Sequence, residues 1–211
     1  MAELFRYGNP DTPAVLIQPV DDRELAEIAQ EIAAIQSLTD KPFQLIAVRV
    51  TSWNADLSPW YAPAVFGSED FGGSAQTFLP ELLSIAAEQR FPCYLGGYSL
   101  AGLFALWAAY QTDLFCGIAA ASPSVWFPDF TDYMRNHRIR CRNVYLSIGD
   151  REARTRNAVM ATVENRILAA YDLLQGQDVN CVLERNPGNH FKDAAHRTAK
   201  AFAWILQHDH P

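Results

Sequence analysis

Positive charge is scarce. The 211-residue chain has 17 Lys and Arg against 24 Asp and Glu, a net charge of -7. General nucleic-acid binding, which needs basic patches to neutralise phosphates, is excluded as a partner class. Cysteine is scarce too: Cys93, Cys116, Cys141 and Cys181, with no CxxC pair and no histidine at zinc-ligand spacing from them. No metal site follows from that pattern, and reduced, buried cysteines are the plain expectation. No apolar run reaches the roughly 18 residues needed to span a bilayer, so no membrane partner is expected. The start, MAELFRYGNPDTP, lacks the basic and apolar regions of a secretory signal, which predicts a cytoplasmic protein without a disulfide framework. Charged residues make up only 19% and hydrophobic residues 49%, so the composition of a disordered chain is absent. The length fits one domain, 1–211, with a large core, and nothing in it specifies an oligomeric state.

What is present is an alternating rhythm. Six short apolar runs read as strands: 15–20, 43–50, 93–99, 117–122, 143–149 and 180–186. Most are near-continuous, as expected of parallel strands covered on both faces. Helical patterns fall between them. Residues 21–38 put Leu25, Ile28, Ala29, Ile32 and Ile35 on one face, with acids in the first turn. Further helices are expected at 74–89, 100–111, 156–174 (stopped by Gly176) and 192–207. This βα alternation predicts an open α/β sheet with right-handed crossovers. His208 and His210 are expected in a solvated tail. One stretch, 51–73, breaks the rhythm with two prolines, three glycines and five aromatics. A loop this long inside a domain is uncommon and often functional.

Residues 96–102, Gly-Gly-Tyr-Ser-Leu-Ala-Gly, lie between a strand and an apolar helix. Gly97-x-Ser99-x-Ala101 is a variant of the G-x-S-x-G nucleophile elbow. A serine on so tight a turn needs small neighbours two before and two after it, and Gly97 and Ala101 qualify. The turn lifts the hydroxyl to the positive end of the helix, where the Leu100 N–H faces a developing oxyanion. A serine needs a base, and in this fold the order is Ser, acid, His. His190, in Asn-Pro-Gly-Asn-His-Phe after the last strand, is the expected base, with His196 further into the helix as the weaker candidate. The acid follows the penultimate strand. Glu152 and Asp150 both qualify, Glu152 being favoured, and a Ser–His dyad is the remaining possibility. The second oxyanion N–H falls to Val20, with Asp21 next, because Pro19 has no N–H.

These residues resemble a known family. GGYSLAGLFALWAAY, ASPSVWFPDF, the GDRE turn, the PGNH loop and LSPWYAPAVFG (57–67) are similar to the esterase branch of the α/β-hydrolase superfamily. That branch holds enterochelin-esterase-like proteins and esterases of the S-formylglutathione-hydrolase type. The resemblance runs from about residue 15 to 205. It implies a single-domain α/β-hydrolase fold and a Ser–acid–His esterase without a cofactor, with nucleophile, base and acid on Ser99, His190 and Glu152. Two departures stand out. The family's antiparallel strands before the first parallel one are expected to be missing, leaving a trimmed core of about six mostly parallel strands flanked by helices on both faces. The family's H/D-G after that first strand is Gln18-Pro19 here.

Substrates of open α/β sheets bind beyond the carboxyl ends of the strands. Trp53, Trp60, Tyr61, Phe66, Phe71, Trp126 and Phe127 are therefore expected to wall an apolar acyl pocket, although aromatics of this kind also serve simply to pack loops down. The expected function is hydrolysis of a small or medium carboxylic ester through an acyl-enzyme on Ser99, falling in acid as His190 protonates. An acyltransferase using the same acyl-enzyme and a non-catalytic binding module on this fold are the alternatives.

Overall fold

The apolar runs become the central strands of one sheet. In the computed structural model, which describes residues 3–208, the strands are β1 (Leu4–Tyr7), β2 (Val15–Val20), β3 (Gln44–Arg49), β4 (Tyr61–Ala62), β5 (Phe71–Gly72), β6 (Cys93–Tyr98), β7 (Phe115–Ala121), β8 (Asn143–Gly149) and β9 (Asn180–Asn186). The helices are α1 (Asp22–Leu38), α2 (Trp53–Asp56), α3 (Ala75–Ala87), α4 (Leu100–Gln111), α5 (Phe130–Asn136), α6 (Val163–Gln175) and α7 (Ala194–His208). The main sheet has seven strands in the order β1-β3-β2-β6-β7-β8-β9, and β4 and β5 form a separate antiparallel pair. Every neighbouring pair in the main sheet is parallel except β1 with β3. Strands β2, β6 and β8 are buried along their whole length, which is why no polar alternation marks them.

All six expected parallel strands are present, but the chain does not begin at the first of them. Residues 4–7, LFRY, add an antiparallel edge strand on β3, Leu4 opposite Val48 and Tyr7 opposite Leu45. An edge strand is paired on one side only and here stays half-exposed, so it lacks the apolar run that reveals its neighbours. The helix expected from 156 starts at Val163, because Asn157 instead folds a turn, accepting from the Val159 and Met160 N–H groups. His208 is not in a solvated tail: it ends α7 and stacks on Trp204 at 4.2 Å. His210 lies outside the described residues.

Helices cover both faces. One apolar layer joins α1 and α7 to the sheet through Ile28, Ile35, Phe202 and Ile205. The other joins α3, α4 and α6 through Leu82, Phe104, Leu106 and Ile167. From β2 the chain moves outward to β3, then returns to place β6 on the other side of β2. The strand order therefore reverses between β2 and β6, and ligand crevices of open α/β sheets open at such a point. None of the four cysteines forms a disulfide. Among the described residues no helix is long and apolar enough to cross a membrane, and no group of three or more His, Cys, Asp or Glu is arranged to hold a metal ion.

The inward face of α1 differs from the expected stripe at one place. Glu31 is buried between Ile28 and Ile35, whereas Ala29 is exposed. The Glu31 Oε2 accepts from Gln18 Nε2 at 3.4 Å, while Gln18 Oε1 and Glu31 Oε1 have no partner. A protonated carboxyl carries the O–H that Gln18 Oε1 can accept. Burial agrees, pushing the Glu31 carboxyl from 4.5 up to about 8. Because the folded value lies above the unfolded one, this group's stabilisation is complete below pH 4.5 and is lost as pH rises through about 8. Glu31→Gln keeps the hydrogen bond without the charge. Urea unfolding should show the variant gaining on the parent from pH 5 to pH 9, by at most about 5 kcal/mol. A constant difference across that range would show that Glu31 is not the titrating group.

Candidate active site

The turn after β6 puts one residue in a conformation that non-glycine residues rarely adopt. Ser99 has φ 57° and ψ -116°. The turn closes because its flanks are small: a Cβ added to Gly97 would stand 2.6 Å from the Ala101 Cβ. It is fixed by backbone bonds from Ser99 N–H to the Ala121 carbonyl (3.1 Å) and from the Ser124 and Leu103 N–H groups to the Ser99 carbonyl (3.0 Å each). Leu100 opens α4, where a helix has no internal acceptor for its N–H.

Three side chains from three loops meet at Ser99. His190 Nε2 is 2.9 Å from the Ser99 Oγ, and His190 Nδ1 is 2.9 Å from Glu152 Oε2. The His190 loop, after β9, is tied down by the Tyr98 hydroxyl, which donates to the His190 carbonyl at 2.6 Å. Burial pushes the Tyr98 phenol up to about 12, so it stays a donor. Glu152, after β8, is almost fully buried, its side chain 3% exposed. Burial opposes its ionisation, but His190, the Gly149 N–H (2.7 Å) and Ser122 together outweigh that and hold the carboxyl below its ordinary 4.5. Asp150 lies elsewhere in the same turn. Its Oδ1 accepts from the Gly188 N–H at 2.7 Å, so it staples the acid turn to the histidine loop and does not meet His190. His196 lines the cavity from α7 and is not bonded to Ser99.

Above Ser99 lies a cavity of about 650 Å³. Trp53, Phe66 and Trp126 form its apolar wall, and Asp21, Glu24 and Glu27 its acidic wall along α1. Four of the expected pocket aromatics are elsewhere: Trp60, Tyr61, Phe127 and Phe71, the last 1% exposed in the core. The Trp60 indole donates to the Pro128 carbonyl at 3.1 Å and packs between Phe127 and Tyr133. Phe127 is 2% exposed and lies edge-on to Phe71, deep in the core. The Tyr61 ring is 64% exposed, with its hydroxyl on Asp70 at 2.8 Å. The β4–β5 pair folds the 51–73 loop back on itself, so that of its five aromatics only Trp53 before the pair and Phe66 between its strands reach the cavity.

Val20 does not present an N–H to the cavity. It pairs with Arg49 on β3, and its carbonyl accepts from the Val50 N–H at 3.0 Å. In a strand the N–H and C=O of one residue point to the same side, so the Val20 N–H is spent on the β3 ladder.

Two residues at the site had no place in the sequence reading. Ser124 Oγ lies 3.2 Å from Ser99 Oγ. With the Ser99 O–H directed at His190, Ser124 is the donor of that pair. Arg197 is 1% exposed. Its Nη1 donates to Glu152 Oε1 (2.8 Å), Tyr98 Oη (3.1 Å) and Ser122 Oγ (3.3 Å). Its Nη2 donates to the carbonyls of Asn189 (3.0 Å) and Pro187 (3.3 Å). One signal for it was available: Arg197 shares the buried stripe of α7 with Ala201 and Ile205, and a charge on such a stripe needs a partner.

No family model and no curated protein matches the chain. Solved structures do. An IroE-like serine hydrolase from Shewanella oneidensis is similar at a TM-score of 0.76 and 16% identity, over 98% of this chain and 75% of that one. The siderophore hydrolase EstA from Aspergillus nidulans gives 0.67 and 18%, over 93% and 83%. Enterochelin esterase from Shigella flexneri gives 0.64 and 16%, covering 97% of this chain but only 54% of its own length. What is shared at such identities is architecture, and the chain has the α/β-hydrolase fold in the form these esterases have it.

Proposed function

We propose that this protein is a serine hydrolase cleaving small or medium carboxylic esters. The observation that carries the reading is the continuous bonding from Ser99 Oγ through His190 to a buried Glu152, 2.9 Å at each step, beneath an open cavity. Ser99 attacks the ester carbonyl while His190 Nε2 takes its proton. Glu152 holds the imidazole with Nδ1–H facing it and stabilises the imidazolium that forms. The Leu100 N–H, at the positive end of α4, donates to the oxyanion. His190 then protonates the leaving alcohol, and water releases the acyl group from Ser99 by the reverse steps. The chain's own residues supply every proton transfer in this scheme, and it calls on no cofactor.

The direct test is a fluorophosphonate probe beside a Ser99→Ala control, followed by a panel of p-nitrophenyl esters. Siderophore esters belong on that panel, since two of the similar structures are named for them. Labelling confined to the parent supports the reading, and a folded parent that never labels overturns it in favour of a binding module.

Trp126 offers a second handle on the same reading. It is 6% exposed and packs on Phe66 (5.9 Å) and Phe71 (6.0 Å) at the cavity wall. Trp126→Ala should enlarge the acyl site and move the preferred p-nitrophenyl ester to a longer chain, by about 10-fold in relative kcat/KM. An unchanged preference would place the acyl group on another wall.

A further inference from the structure

We propose that the Asp21 N–H is the second oxyanion donor and that the Glu24 carboxyl occupies it in the resting protein, so that Glu24 must swing aside for acyl transfer. The proposal rests on the esterase reading above. Its first support is register. β2 and β6 run parallel with Val15 opposite Cys93, Leu16 opposite Tyr94 and Ile17 opposite Leu95. Extending that register sets Asp21 level with Ser99. The second support is direction. The polar groups of Val20 face β3, and Asp21 continues extended, with φ -92° and ψ 180°. Successive residues of an extended chain turn their N–H groups to opposite sides, so the Asp21 N–H faces the elbow.

That N–H already has a partner. It donates to Glu24 Oε2 at 3.2 Å, while Asp21 Oδ1 accepts from the Glu24 N–H at 2.7 Å. As helix anatomy this is a capping box for α1. As site anatomy it puts a carboxyl on the one strand-end N–H that faces the nucleophile, since Asp21, Glu24 and Ser99 line the same cavity. At 3.2 Å the bond lies at the long end of the ordinary N–H···O range, so a developing oxyanion, a charged acceptor, can displace it. Burial, reinforced by Asp21, pushes the Glu24 carboxyl up to about 8, which leaves it uncharged at neutral pH. Arg23 and Glu27 on α1, and His190, Asp193 and His196 across the cavity, share that space.

The test compares Glu24→Ala, Glu24→Asp and Glu24→Gln with the parent at pH 7, by the rate of fluorophosphonate labelling and by kcat/KM on a p-nitrophenyl ester. Glu24→Ala frees the N–H and should raise both about 3- to 10-fold, the worth of one net hydrogen bond. Glu24→Gln keeps an acceptor on the N–H and should gain less. Glu24→Asp, one methylene short of the N–H, should gain as the alanine variant does, and it decides the matter if loss of the cap unfolds Glu24→Ala. A parent that labels, with folded Glu24→Ala or Glu24→Asp no faster than it, overturns this proposal and leaves the esterase reading intact. If neither parent nor variants label, the esterase reading falls and this proposal with it.

Discussion

Ser99→Ala should abolish fluorophosphonate labelling and lower ester turnover on the order of 10⁵- to 10⁶-fold, without lowering the melting temperature. The size follows from how the three side chains act. A serine hydroxyl without His190 is a poor nucleophile, and His190 without Ser99 has no proton to take. The two therefore act as one unit, bonded at 2.9 Å. His190→Ala should cost about as much as Ser99→Ala, and the double variant should be no slower than either single one. What survives comes from the oxyanion donors and the cavity, which neither substitution touches. Glu152→Gln should cost about 10⁴-fold, because an amide no longer fixes the imidazole tautomer. Asp150→Asn marks the contrast. It keeps an oxygen for the Gly188 N–H and should leave kcat within about 3-fold of the parent, since Asp150 does not meet the imidazole. Additive losses for Ser99 and His190, or a large loss at Asp150 with the Glu152 variant active, would break this assignment.

How much of this was legible in the sequence depended on whether a residue signals locally. Strands buried on both faces show as apolar runs, and the helices between them by period, so the six parallel strands and the five long helices were readable. Residues 4–7 were not, because an edge strand needs no apolar run and gains its identity from β3. The elbow was readable because its steric demands fall on five consecutive residues. That His190 and Glu152 would come together beside Ser99 was readable from position in the chain order. The pocket was not. Trp60, Tyr61, Phe71 and Phe127 sit in the same stretches as Trp53, Phe66 and Trp126, and which rings face Ser99 depends on how the two loops fold against each other. Val20 failed for a related reason: the direction of a strand-end N–H depends on which neighbour its carbonyl serves, and that is a property of the sheet.

Arg197 should prove the structurally most expensive residue of the site. Its guanidinium joins the acid turn, the elbow strand, the end of β7 and the histidine loop, through five bonds made by a side chain 2% exposed. Arg197→Met removes that charge at similar volume and leaves Glu152 ionised, 3% exposed and without its cation. Breaking one side of a buried pair costs about 3–5 kcal/mol, roughly 6–20 °C in Tm for a chain of this size. The loss has a sign with pH. The folded-state pKa of Glu152 lies below its ordinary 4.5, so the stabilisation is present above that value and lost as pH falls through the folded one. The deficit of Arg197→Met should therefore be greatest at pH 7 and shrink toward pH 3 as Glu152 takes up its proton. Combining Arg197→Met with Glu152→Gln removes both charges and should recover much of the stability at pH 7, while activity stays at or below the Glu152→Gln level. Urea unfolding of the parent, both single variants and the double variant at the two pH values reads all of this. A deficit independent of pH, or a double variant as unstable as the sum of the singles, would show that Arg197 holds the histidine loop through its carbonyl bonds alone and that its charge does nothing for Glu152.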